Sequence, residues 1–128
     1  MLADRLAGTA EWLRTRHADT KIGLFGASTG GGAALVAAAE RPDLIHAVVS
    51  RGGRPDLAGP ALSRVEAPTL LIVGGDDVPV IAMNREAYDQ MRCERRIEIV
   101  TGATHIFEEP GTLEKVAELA RDWFQRYL

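Results

Sequence analysis

The sequence predicts an α/β domain: about four parallel strands with flanking helices, in three αβα layers. Three observations carry that expectation. Short apolar runs of strand length alternate with longer helical patterns along the whole chain. The runs at 47–49 and 69–73 are apolar without alternation, as in strands covered on both faces. The notable polar residues follow the strand runs, where parallel sheets present their ligand sites: Ser28, then Arg51 and Arg54, then Asp76 and Asp77, then His105.

Each element has its own signal. Residues 2–17 read as a helix with Leu2, Leu6 and Leu13 on one side, and His17 at its end. Residues 21–25 form a short strand that runs into a Gly-rich turn. A helix follows from Gly30 or Gly31 to Glu40, apolar almost all round and therefore buried on several sides, and Pro42 stops it. Residues 44–50 are a second strand, with His46 facing a helix packed on the sheet. Residues 51–66 are a loop rich in Gly, Pro and Arg with a helical turn near 60–64. Residues 69–73 are the third strand, 80–91 a helix with Cys93 just beyond its end, and 96–100 the fourth strand. Residues 112–128 form an amphipathic helix whose apolar face is Leu113, Val116, Ala117, Ala120, Trp123, Phe124 and Tyr127, with Thr112 as N-cap.

Composition narrows the function classes. The chain has 128 residues, the size of one domain, and no internal linker. Its 15 Lys and Arg against 18 Asp and Glu give a net charge of −3, interspersed, which argues against nucleic acid or an anionic membrane as partner. One cysteine, Cys93, permits no internal disulfide; Arg92, Arg95 and Arg96 beside it are candidates to lower its pKa. Residues 1–5 lack the apolar core of a signal peptide and no run approaches about 18 apolar residues, so a cytoplasmic protein is expected. Scattered histidines and a lone Cys suggest no metal, and no cofactor is expected.

The most specific feature is Gly26-Ala27-Ser28-Thr29-Gly30 between a strand and a helix. That context is the nucleophile elbow of serine hydrolases, in which small neighbours let strand and helix approach while the turn lifts the serine oxygen to a helix N-terminus. The Gly-rich turn matches neither Gly-x-x-x-x-Gly-Lys-Ser/Thr nor Gly-x-Gly-x-x-Gly, which disfavours a phosphate-binding loop. A serine needs a base near neutral pKa, and the base needs a carboxylate to fix its tautomer. In α/β-hydrolases these come in the order Ser, Asp or Glu, His, and Ser28, Asp77 and His105 have that order. Asp76, adjacent, is the other candidate acid. Arg51 and Arg54 are candidates to hold an anionic substrate group.

With these motifs, and with Val49-Ser50-Arg51-Gly52-Gly53-Arg54-Pro55-Asp56-Leu57, Pro68-Thr69-Leu70-Leu71-Ile72-Val73-Gly74-Gly75 and Gly102-Ala103-Thr104-His105, the chain resembles the C-terminal half of an α/β-hydrolase of the dienelactone hydrolase-like group. It is most similar to actinobacterial hydrolase domains sometimes fused to a phosphoribosyltransferase. The resemblance implies that Ser28 is the nucleophile, His105 the base and Asp77 the acid, since the family spacing is Gly-x-x-Asp and Gly74 supplies the Gly. It implies a small-molecule ester or related acyl substrate.

The same resemblance implies an eight-stranded sheet of which this chain holds only strands five to eight. One oxyanion donor is then the backbone N–H of Thr29, while the other belongs to a loop of the missing half. A poor enzyme is therefore one expectation for the isolated chain. The other is a bare strand edge at 21–25, from Lys21 to Phe25, that pairs with a second copy in a homodimer or with a separate N-terminal half. The alternative to a hydrolase is a catalytically weak or inactive module that acts through such association.

Overall fold

Runs of Ile, Val and Leu set the sheet, and the turns between them decide where it opens. The computed structural model describes residues 2–16 and 20–128. The elements are α1 (Leu2–Arg16), β1 (Ile22–Ala27), α2 (Thr29–Glu40), β2 (Ile45–Arg51), a 3-10 segment (Pro55–Arg64), β3 (Thr69–Gly74), α3 (Val78–Gln90), β4 (Arg95–Val100) and α4 (Thr112–Tyr127). The expected position of His17 lies outside the described residues.

The four strands are parallel and lie in chain order, β1-β2-β3-β4. Each crossover therefore moves one strand over, and the C-terminal ends of all four point the same way. β3 is buried at every residue. Side chains of β2 alternate between two apolar layers. Val48 joins Leu35, Ala38 and Leu62 in one layer, and Ala47 and Val49 join Phe107, Val116 and Trp123 in the other. This is the three-layer αβα arrangement, with α1, α2 and α3 on one face and α4 on the other. Among the described residues no helix is long and apolar enough to cross a membrane.

Three helix faces differ from the sequence expectation, for local reasons. In α1 the buried residues are Ala3, Ala7 and Ala10, while Leu2 is half exposed. Small side chains let α1 approach the Ala- and Gly-rich α2, while Leu6 and Leu13, partly buried, pack against the same core as expected. In α4 the buried stripe is Val116, Ala120 and Trp123, and Leu113 and Ala117 face outward. Gly111 at φ 81 is the N-cap instead of Thr112, whose hydroxyl donates to the carbonyls of Phe107 (2.9 Å) and Glu109 (2.8 Å). The left-handed turn at Gly111 rotates the helix start by one residue. α3 begins two residues earlier than expected, because Pro79 at its first turn needs no helical N–H partner.

The loop expected over 51–66 is more ordered than its composition suggests. It winds as 3-10 helix from Pro55 to Arg64, broken at Gly59 (φ 50). His46 accepts a hydrogen bond from the Ile22 N–H (3.1 Å) where the β1–β2 register shifts, so it completes the ladder at that step. β1 lies at one edge of the sheet, and among the described residues no strand pairs with its outer side. Phe25 on it is 50% exposed.

Candidate active site

Two N-cap positions and one loop meet at the C-terminal ends of the strands. Ser28 stands at the N-cap of α2 with φ 54 and ψ −123, a left-handed backbone that non-glycine residues rarely hold. The turn is possible because its neighbours are small. A methyl at Gly26 would land on the Gly30 carbonyl, and one at Gly31 would land on the Ser50 hydroxyl. The end of β2 then locks the turn from both sides. Ser28 N–H donates to the Arg51 carbonyl (3.2 Å), and Arg54 N–H donates to the Ser28 carbonyl (3.0 Å).

Asp77 is the N-cap of α3, and like Ser28 it makes no side-chain cap to its own helix. Its carboxylate oxygen Oδ2 lies 2.9 Å from His105 Nδ1, and His105 Nε2 lies 3.0 Å from Ser28 Oγ. A carboxylate only accepts, so Nδ1 donates to Asp77, and in the neutral imidazole Nε2 is then the acceptor for the Ser28 hydroxyl. Ser28, His105 and Asp77 thus form one hydrogen-bonded chain. The Asp77 side chain is 14% exposed and that of His105 is 41% exposed, so the carboxylate is sheltered and the imidazole faces solvent.

The main chain fixes the Asp77 turn against the His105 loop. Gly75 N–H donates to the Val100 carbonyl (2.8 Å), and Asp76 N–H to that of Ala103 (3.0 Å). Gly74 allows this approach, since a methyl there would strike the Ala103 carbonyl. Asp76 is exposed and directs only its backbone into this turn, so the structure separates the two aspartates that sequence spacing left open.

The other residues singled out from sequence fall apart from the trio or beside it. Arg54 is held by Asp56 through two bonds of 3.0 and 2.9 Å, which lower the Asp56 pKa and raise that of Arg54. Arg51 reaches over to the histidine loop, where its Nη1 donates to the Ile106 carbonyl (3.4 Å). Thr29 is the first residue of α2, and the first N–H groups of a helix have no partner inside it. Cys93 lies between α3 and β4, away from the trio. Burial pushes its thiol up, outweighing the pull of Arg95, so the expected depression by neighbouring arginines does not occur.

Sequence reading missed Glu109. Its carboxylate accepts from the Thr104 N–H (3.0 Å) and hydroxyl (2.7 Å), closing the loop that carries His105. Those two bonds, the backbone one first, hold its carboxyl below the usual glutamate range. A Thr with a Glu five residues on was the only signal in sequence.

Comparison with known proteins places this geometry in context. A family described as PET hydrolase-like matches residues 5–128. The crystal structure of dienelactone hydrolase from Anabaena variabilis is 60% identical and superposes with a TM-score of 0.96, over 98% of this chain and 59% of that one. A monoacylglycerol lipase from Paleococcus ferrophilus is 19% identical with a TM-score of 0.76, over 94% of this chain and 74% of that one, and shows the fold alone. A Mycobacterium tuberculosis protein named "Putative phosphoribosyl transferase" is 55% identical over the whole of this chain, which spans 29% of its length. The chain is thus similar to a part of longer proteins.

Proposed function

From its membership of the PET hydrolase-like family of α/β hydrolases, we propose that this chain carries a serine hydrolase site that cleaves an ester or related acyl bond. The observation that carries the reading is the unbroken hydrogen-bond chain from Ser28 Oγ through His105 to Asp77 Oδ2, at 3.0 and 2.9 Å. Its members lie on three separate strand ends, and neither N-cap side chain serves its own helix.

The chemistry follows from the tautomer. His105 Nε2 takes the Ser28 proton as Oγ attacks the acyl carbon, and Asp77 stabilises the imidazolium that forms. The tetrahedral oxyanion accepts from Thr29 N–H at the positive end of α2. Collapse breaks the bond to the leaving alcohol, which departs with the proton from His105. Water, deprotonated by the same imidazole, then attacks the acyl-enzyme and releases the acid and free Ser28.

The test is intact mass after treatment with a fluorophosphonate, with Ser28→Ala alongside. One adduct on the wild-type chain and none on the variant supports the reading. A folded wild-type chain without adduct overturns it. A second reading draws on the open edge of β1: the chain associates through that edge, with another copy or with a complementary N-terminal half, and catalysis depends on the assembly.

A further inference from the structure

We infer that the side chain of Arg51 is a positioning residue that holds His105 in register with Ser28; this rests on the hydrolase reading of the site. The observation is that one residue touches both Ser28 and the loop segment that directly follows His105. The Arg51 carbonyl accepts from Ser28 N–H at 3.2 Å, which fixes the elbow. The Arg51 guanidinium crosses to the histidine loop, donating to the Ile106 carbonyl at 3.4 Å and lying 5.3 Å from the centre of the Phe107 ring. Phe107 is fully buried at φ 54, so the loop enters the core through a backbone conformation that needs external support.

The neighbouring residue completes the platform. Gly52, at φ 52, donates its N–H to the Ile72 carbonyl (2.7 Å), and its missing side chain leaves room for His105. A methyl there would sit 3.3 Å from the His105 carbonyl and 3.4 Å from its ring. The imidazole therefore lies beside the same turn that grips the serine, in space that a side chain at position 52 would crowd. Because the His105 side chain is 41% exposed, packing alone does not set its place. The loop tethers set it, and of these the Arg51 guanidinium is the one anchored to the serine's own hydrogen-bond partner. This tether is a different role from the substrate anchor that sequence suggested, and experiment distinguishes the two.

The experiment compares the wild-type chain with Arg51→Met, which keeps the stem and removes the fork, and Arg51→Lys, which keeps a cation over the Phe107 ring. Two readouts are taken: the rate of labelling by a neutral fluorophosphonate as a function of its concentration, and the downfield proton resonance of His105 Nδ1, assigned by its loss in His105→Gln. Unfolding midpoints establish that the variants fold. Arg51→Met is expected to lower the maximal labelling rate on the order of 10–100-fold, with the half-saturating concentration unchanged, as misplacement of a reacting group by about an ångström does. The His105 resonance broadens or vanishes in Arg51→Met, and Arg51→Lys restores part of both. A labelling rate and resonance equal to wild type overturn the inference while leaving the hydrolase reading intact. So does a defect confined to the half-saturating concentration of the probe, with the maximal rate and the resonance unchanged, which marks a binding role instead. If the wild-type chain takes no label, the hydrolase reading fails and the resonance alone decides: its loss in Arg51→Met upholds the tether, and its persistence removes it.

Discussion

Asp76 and Asp77 are neighbours in sequence, and the fold gives them unrelated work. Asp77 caps α3 with its backbone only and sends its carboxylate to His105. Ser28 likewise stands at a helix N-cap and sends its hydroxyl to the same imidazole. A Ser or Asp side chain that caps its helix is worth about 1 kcal/mol. Two such residues both turned away from their helices are the residue-level sign that stability has been given up for a site. Asp77→Asn leaves the imidazole without a carboxylate to hold its tautomer, and should lower the fluorophosphonate labelling rate by on the order of 10³–10⁴. Asp76→Asn, whose side chain is exposed, should change that rate less than about twofold. Labelling kinetics of the two variants check the assignment, and equal losses would assign the acid role to neither residue alone.

Elements place these residues through turns more than through helices and strands. The β1–α2 turn depends on Gly26, where a side chain meets backbone that cannot yield. Gly26→Ala should cost about 2 kcal/mol or more, read as a lowered denaturant midpoint with an unchanged slope. The histidine loop depends on Glu109 instead. Hydrogen bonds from Thr104 lower the Glu109 pKa, so the folded state releases that proton more readily than the unfolded chain. The contribution is therefore fully present above the ordinary glutamate value of about 4.3 and is lost as pH falls through the lowered one. Hydrogen exchange should find the Thr104 amide protected from neutrality to about pH 5 and released in stronger acid, while Glu109→Ala releases it throughout. Equal protection in the variant would show the tether to be idle.

At the scale of the whole molecule, the open side of β1 is the dominant feature. Phe25 is half exposed on an edge strand whose outer side pairs with no strand among the described residues, and such edges pair with other chains unless they are blunted. Sedimentation of the chain should show concentration-dependent association, and Phe25→Lys should shift it towards monomer without lowering its unfolding midpoint. A wild-type chain that sediments as monomer at high concentration would leave the edge unused by a second copy.

The sheet was legible because its central strands are buried on both faces and leave apolar runs, and the trio because Ser28, Asp77 and His105 each follow a strand segment in the order expected. The α4 face was read with Leu113 and Ala117 inward, since periodicity gives a stripe but not the rotation that Gly111 imposes. The contacts of Arg51, Glu109 and Thr112 join side chains to distant or irregular backbone. They leave no repeat in the sequence, and only the assembled loops reveal them.

The order β1-β2-β3-β4 also has a consequence in time. Each strand docks on the one made just before it, so the sheet can grow in the direction of synthesis. Ser28 emerges first, and His105 only after the last strand is laid down. Through most of its making the chain carries Ser28 without its hydrogen-bond partner, and the link from Ser28 through His105 to Asp77 closes only when the loop after β4 is in place.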